Sequence, residues 1–362
     1  MKTTALHPLH VAQGAKMVDF AGYHMPMVYS SVKEEHLWVR KEVGLFDVSH
    51  MGLFKISGEH AHQSLQGIFS NDVDRLAIGK AQYTLLLNSA GGIVDDLLLY
   101  RMDANEFLAI VNASNITKDW NHIMAHKTTG AVWENLSEGW SILALQGPKS
   151  QEVVRSILRE STSDLSRQND CSPVSFSNGV TGYMARTGYT GEVGFELILP
   201  RESTKGLWDL LKHSHHDLKL IGLGARDTLR TEMGFCLYGQ DINENITPTE
   251  AGLTWAVHSS GSFLGNAALN QCEASKRRLG FVLESNRIAR PGQSIVHPES
   301  MEVIGEITSG CPSFSTEQSI AMGYVNSEFI PSIDKVLIDI RGKHIAAKRS
   351  KMPFYNVPIN DA

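Results

Sequence analysis

Gln82-Tyr83-Thr84-Leu85-Leu86-Leu87-Asn88-Ser89-Ala90-Gly91-Gly92-Ile93-Val94-Asp95-Asp96-Leu97-Leu98-Leu99-Tyr100 is two apolar runs of strand length joined by a short polar, glycine-bearing link. The runs Gln82 to Leu87 and Ile93 to Met102 flank Ser-Ala-Gly-Gly, which supplies the positive-φ residues of a tight turn, so the stretch reads as a β-hairpin. The second run also carries two adjacent carboxylates. On a strand Asp95 shares a face with Ile93, Leu97 and Leu99, and Asp96 shares the other with Val94, Leu98 and Tyr100. Both faces are equally apolar, so alternation does not choose between the two acids. An unpaired charge in such a strand is costly and must meet something positive or proton-donating. A polar ligand, a turn cap and an ion pair with a nearby cation all remain open.

Working outward, Ser31 and Glu34 form a capping box before a helix from Val32 to Val43 that Gly44 stops. Leu53 to Ser57 alternates as a strand, a helix follows near His60 to Phe69, Phe107 to Val111 is a further strand, Asn115 to His126 a helix, and Ala131 to Glu134 a short strand. Trp140 to Leu145, Gln146-Gly147-Pro148 and a helix from about Lys149 to Glu160 repeat the strand, turn and helix unit. Val180 to Thr187 and Phe195 to Leu199 bracket a glycine-rich turn, and helices follow near Ser203 to His213 and Ala225 to Gly234. Interleaved strands and helices with tight hairpins favour α+β over a doubly wound parallel sheet. From about Lys276 the pattern changes. Leu279 to Leu283, Val303 to Thr308, Ile320 to Val325 and Val336 to Ile340 alternate with Gly, Pro and Ser, as in a small all-β barrel or sandwich, which places a domain boundary near residue 275.

Several function classes are excluded by composition. No apolar run approaches the ~18 residues needed to cross a bilayer, and the amino terminus has neither an apolar signal core nor an Arg-rich leader, so the chain is expected to be cytoplasmic, or already processed, and away from any membrane. The net charge is −6, and the 22 basic and 30 acidic residues before Lys276 give way to 11 and 9 from there on, so no surface is basic enough to suggest nucleic acid. Cys171, Cys236, Cys272 and Cys311 are scattered without CxxC spacing, arguing for reduced, mostly buried thiols and against structural zinc or a disulfide framework. His213-Ser214-His215-His216 reads as a solvated helix end, not a metal site. Ser-His-Asp, GxSxG, P-loop and HExxH arrangements are missing, leaving hydrolase and kinase readings without their central residues.

Two other segments carry chemistry. Arg186-Thr187-Gly188-Tyr189-Thr190-Gly191-Glu192-Val193-Gly194-Phe195-Glu196 sets three glycines, an aromatic ring and two acids at the mouth of a strand. Backbone can there approach a flat ligand, and Glu196 offers two acceptor oxygens to an amidine-like edge such as that of a pterin or guanine. A plain hairpin with a surface Tyr is the alternative. Gly222-Leu223-Gly224-Ala225-Arg226-Asp227-Thr228-Leu229-Arg230 opens a helix with Arg226 and Arg230 on one face, able to hold an anion or simply forming an exposed cationic face. Taken alone, Tyr83, Asn112, Met51 and Trp255 read as core.

Together these segments, with Met17 to Tyr23, Gly44 to Gly52, Leu237 to Asp241, Gly305 to Gly310 and Lys351 to Phe354, match one family in order and spacing. The chain resembles the T proteins of the glycine cleavage system, which are aminomethyltransferases. The resemblance implies an α+β fold forming a three-domain, cloverleaf-like ring. Residues 1–275 would be the folate-binding catalytic region, with one subdomain of about 1–51 plus 137–275 and another of about 52–136, and 276–362 a C-terminal β-barrel. It implies tetrahydrofolate as acceptor, lipoylated H protein as partner, and no metal. By position Asp96 matches the catalytic carboxylate, Glu196 and Arg226 match folate contacts, and Tyr83, Asn112, Tyr189, Arg290 and Met51 match residues of the same pocket. Val193 and Thr231-Glu232-Met233 depart from the family's usual residues, and the tail around Tyr355 is variable. A non-catalytic folate-binding protein of the same fold is the alternative; its Cys-containing motif is missing from Thr187 to Glu192.

Overall fold

The computed structural model describes residues 1–128, 130–159 and 165–357; Glu160, the expected end of one helix, and positions 358–362 of the tail lie outside the described residues. The chain divides into two compact units: Met1–Leu86, Asp95–Arg226 and Ser260–Phe263 in the first, Leu87–Val94, Asp227–Ser259 and Leu264–Ala362 in the second.

The first unit holds two β-sheets with helices between their strands in sequence. In the five-stranded sheet, Lys80–Leu87, Ile93–Asp103, Glu106–Val111, Gly52–Ser57 and Val132–Asn135 lie side by side in that order. The hairpin expected from the opening stretch is therefore present. In the six-stranded sheet the order is Cys171–Ser175, Thr181–Ala185, Gly194–Pro200, Trp140–Gln146, Gly44–Asp47 and Lys219–Leu220, with a parallel contact only at the last pair. This is the mixed, mainly antiparallel arrangement of an α+β fold. Its core comes from alternate strand residues, among them Leu143, Leu145, Phe195, Leu197 and Leu199, packed against Val153 and Ile157 of helix Ser150–Ile157 and Leu207 and Leu211 of helix Thr204–Ser214. Each such side chain taken fully from water contributes about 1.5–3 kcal/mol.

The Ser31 hydroxyl does accept from Glu34 N, but helix Val32–Lys41 stops two residues before the expected end, and Gly44 begins a strand instead of capping the helix. The reason is packing: a Cβ on Gly44 would fall 2.4 Å from the Ile221 side chain. A hairpin of Lys16–Phe20 and Tyr23–Val28, turning through Ala21 and Gly22 at φ 51° and 79°, completes the first unit's strands.

The second unit contains a closed barrel in the order Lys276–Leu283, Gln318–Asn326, Val303–Ser313, Ser294–Val296, Lys335–Ile340, Lys343–Ser350. Phe281, Ile295, Ile304, Ile307, Val325, Val336 and Ile338 fill it. The strand expected to end at Thr308 runs on to Ser313, because a bulge between Ile307 and Ser309 interrupts the alternation on which the shorter reading depended. In the same unit, the hairpin turn uses its glycines differently from one another. Gly91 has φ +83°, whereas Gly92 is needed because a Cβ there would lie 1.8 Å from the Glu244 carbonyl. Three of the four free cysteines are buried and Cys272 is exposed. Trp255, expected in the core, is 63% exposed. Among the described residues no helix is long and apolar enough to cross a membrane.

Candidate active site

The two acids of strand Ile93–Asp103 differ in burial. Asp95 is sealed and Asp96 half-buried. Asp95 accepts from Asn112 N (3.1 Å), Asn112 Nδ2 (2.9 Å) and Asn115 Nδ2 (2.6 Å). The Tyr83 hydroxyl donates to Asp96 Oδ2 at 3.0 Å, and Asn112 Nδ2 donates to Asp96 Oδ1 at 2.9 Å. A single amide therefore clamps both carboxylates, and among the described residues neither acid is paired with a cation or caps the turn, as two of the open readings had it. Although Asp96 as a residue meets solvent, its carboxyl lies deep. Burial, then the Asp95 charge, pushes it up to about 7 against the pull of Tyr83 and Asn112. A carboxyl poised there can both take and return a proton near neutral pH. One hydrogen bond per oxygen leaves each with acceptor capacity for a further donor.

Two residues beyond Leu98 on the same face stands Tyr100, about 13 Å along the strand from Asp96 at ~3.3 Å per residue. Its hydroxyl donates to Glu196 Oε2 at 3.0 Å, and Thr187 Oγ1 donates to the same oxygen. Glu196 is buried, and its Oε1 accepts from none of the described residues. The glycine-rich turn before Glu196 is built around Gln146. Gln146 Nε2 donates to Thr187 O (3.1 Å), Thr190 Oγ1 donates to Gln146 Oε1 (2.8 Å), and a Cβ on Gly188 or Gly194 would meet the Gln146 side chain at 2.0 or 2.2 Å. Arg40 ties down the turn's tip through Thr190 O (2.7 Å) and a buried ion pair with Glu192 (3.0 Å).

Arg226 lies with its guanidinium 4.6 Å from the Tyr189 ring centre, a cation–π contact that joins the glycine-rich turn to helix Leu223–Glu232. The start of that helix is fixed by Gly222, whose N–H donates to the buried Glu35 Oε2 at 2.7 Å while Glu35 Oε1 accepts from Tyr29 N and Ser30 N. A Cβ on Gly222 would lie 2.2 Å from Met27 O. His50, beside the half-buried Met51, has the rings of Phe20 and Tyr23 edge-on to it. Burial and then the Arg226 charge bring His50 down to about 4, so it is neutral at physiological pH. The segments around Phe20 and His50, far apart in sequence, thus meet in one place.

Of the expected residues, Tyr83 and Asn112 each donate to Asp96, Arg226 lies over the Tyr189 ring, and Glu196 accepts from Tyr100 of the same strand as Asp96. Arg290 belongs to the second unit, exposed in the turn before strand Ser294–Val296, where its N–H donates to Gln293 Oε1 at 2.9 Å. Arg230, read with Arg226 as a cationic face, is instead 1% exposed and ion-paired with Asp241 at 2.6 Å, so it is neither an exposed cation nor an open anion contact. Tyr100, Thr187, Asn115 and Gln146 were not foreseen. The one available signal was the polar set Asn112, Asn115 and Asp119, spaced as on one helix face and abutting an apolar strand. His213 to His216 end helix Thr204–Ser214, and no group of three or more His, Cys, Asp or Glu among the described residues is placed to hold a metal.

Over residues 6–260 the sequence matches the family model for the GCVT N-terminal domain, and over residues 276–356 that for the glycine cleavage T-protein C-terminal barrel domain. The aminomethyltransferases of Phocaeicola vulgatus and Flavobacterium psychrophilum are each 42% identical to it over 361 residues, covering 98% of this chain and 99% of theirs. The crystal structure of glycine cleavage system aminomethyltransferase T from Bartonella henselae aligns at a TM-score of 0.89 and 33% identity over 98% of both chains. The chain belongs to the glycine cleavage T-protein family, the aminomethyltransferases.

Proposed function

We propose that the enzyme transfers the methylene of an aminomethyl group, carried on the lipoyl arm of H protein, to tetrahydrofolate. The products are 5,10-methylenetetrahydrofolate, ammonia and dihydrolipoyl H protein. The observation that carries this reading is the Asp96 carboxyl, near neutral in its titration and held by Tyr83 and Asn112. The aminomethyl carbon sits between sulfur and nitrogen and is prone to iminium character, so attack by a folate amine needs proximity and a nearby carboxylate more than an enzyme nucleophile. Asp96 orients the reacting nitrogen, accepts its proton and stabilises positive charge developing on the transferred carbon.

Glu196, with Oε1 unclaimed by the described residues, suits the amino and ring N–H edge of the pterin. Arg226 and Tyr189 are assigned to the pocket beside it, with Met51 filling apolar space, and Arg290 is assigned a folate contact by the resemblance alone. With this reading go a cytoplasmic location and a domain boundary near residue 275, in the interval between the two family matches at 6–260 and 276–356.

The test is to mix the purified chain with tetrahydrofolate and aminomethylated H protein and to assay ammonia and methylenetetrahydrofolate. Asp96→Asn is expected to bind folate near normally and turn over ~100-fold or more slowly, the usual scale for a general acid–base group. Near-normal turnover in that variant removes Asp96 from the chemistry. Folate binding with no product from the parent enzyme supports the non-catalytic reading instead.

A further inference from the structure

Behind Asp96 lies a carboxyl that the proposed reaction does not use. Asp119, on helix Ile116–His126, is 0% exposed, and neither of its carboxyl oxygens receives a hydrogen bond from the described residues. The group that it faces is another acid, Asp95. Sealed off as an anion without a donor, Asp119 would forfeit its hydration and gain nothing in return, a loss of several kcal/mol. As a neutral acid it has an O–H to give, and Asp95 is the acceptor beside it. Asp95 is already served by three N–H groups from Asn112 and Asn115, the company an ionised carboxylate requires.

We propose that Asp119 and Asp95 form a buried acid pair holding one proton, and that this pair positions Asp96 through the shared amide of Asn112. The positioning role rests on the reading of Asp96 as the catalytic carboxylate. Asp119 is the donor, Asp95 carries the single negative charge, and that charge aligns the Asn112 and Asn115 amides with their N–H groups toward strand Ile93–Asp103. The charged groups acting on Asp119 are Asp95 and Asp96 from that strand and Lys118 on its own helix; burial first, then Asp95, pushes Asp119 up to about 11. Asp95 acts on Asp96 in the same sense, so the pair presents one charge to the site and not two.

The test uses the ligand-free full chain. Asp119→Asn replaces the O–H by an N–H without charge. The parent must keep a proton at position 119 that its unfolded chain releases above about pH 4, so its stability falls as pH rises, and the variant is free of that loss. Melting temperatures from pH 5 to 9 should therefore diverge in favour of Asp119→Asn as pH rises. A difference that is constant or shrinks overturns the proton assignment. In a second measurement, carboxyl carbon NMR follows the Asp96 titration. Asp95→Asn should lower its midpoint by about one pH unit or more, and Asp119→Asn should leave it nearly unmoved. An Asp96 midpoint indifferent to Asp95→Asn overturns the coupling. If both results hold while Asp96→Asn keeps its turnover, the acid pair stands and the catalytic reading alone falls.

Discussion

Asp96 sits where opposing influences nearly balance. Burial and the neighbouring Asp95 charge favour its neutral form, while the Tyr83 hydroxyl and the Asn112 amide favour the anion. In the proposed role of base it works only when ionised, so kcat should fall about tenfold per unit once the pH drops well below 7. Removing one donor by Tyr83→Phe should displace that acid limb upward, which a kcat–pH profile reads directly; a limb that stays put or moves down rules out Tyr83 as a stabiliser of the anion. For stability the sign is reversed from that of an ordinary ion-paired carboxylate. A folded-state value raised from about 4 to about 7 means that the native state binds the extra proton in that window, so this group's contribution declines as pH rises through it. Two adjacent acids in an apolar strand were visible in the sequence as a cost needing an explanation. How the two acids differ was not, because both strand faces are apolar: Asp95 is held by Asn112 and Asn115, on a segment that the sequence could not dock against it.

The elements themselves were largely legible wherever a period ran uninterrupted: both arms of the hairpin, helix Ile116–His126, helix Thr204–Ser214 and the barrel strand Gln318–Asn326 lie within a few residues of their expected bounds. Misreadings arose where local sequence was overridden by contacts from elsewhere. Gly44 looks like a helix stop until Ile221 fills the space a side chain would need, and Ser294–Val296 is too short to show alternation. The glycine-rich turn is the clearest case. Its glycines could be read as permissive, but two of them are required by Gln146, which lies in a strand some forty residues earlier. Gly194→Ala therefore forces the Gln146 carboxamide out of its bonds to Thr187 and Thr190. The expected cost is about 1–3 kcal/mol of stability, typical of overpacking, with a weakening of tetrahydrofolate affinity of about tenfold as Glu196 and Tyr189 lose their frame. Urea unfolding and folate titration of the same variant measure both. Unchanged affinity alongside a clear loss of stability would separate the turn from the ligand site.

Across the molecule, each compact unit is tied together by a buried charged residue that collects partners from distant parts of the chain. In the first unit it is Glu35, bonded to Tyr29, Ser30 and Gly222. In the second it is Asp241. Arg230 NH1 donates to Asp241 Oδ2 at 2.6 Å, Leu237 N to the same oxygen at 2.9 Å, Thr308 Oγ1 and Ser309 Oγ to Oδ1 at 2.6 and 2.8 Å, and Tyr324 OH to its carbonyl at 2.6 Å. Both charged side chains are at most 1% exposed. The motifs Leu237 to Asp241 and Gly305 to Gly310, which matched the family without a local reason, are the two halves of this cluster; sequence alone could not pair residues nearly seventy positions apart. Burial works against the Asp241 charge, but Arg230 and Thr308 prevail and hold its carboxyl below the usual range, so the stability it supplies is present above about pH 4 and is lost on acidification through its lower folded value. Asp241→Leu leaves the buried Arg230 guanidinium with only the half-exposed Asp227, at 2.8 Å, as counter-charge and should cost up to about 3–5 kcal/mol, whereas adding Arg230→Met to it should recover much of that loss, since replacing a buried pair by apolar side chains is often neutral. Hydrogen exchange at the barrel amides of the single and double variants reads this energy within the second unit. A double variant as unstable as the single one would mean that the bonds from Thr308 and Ser309 to the Asp241 carboxylate, and not the ion pair, hold the cluster together.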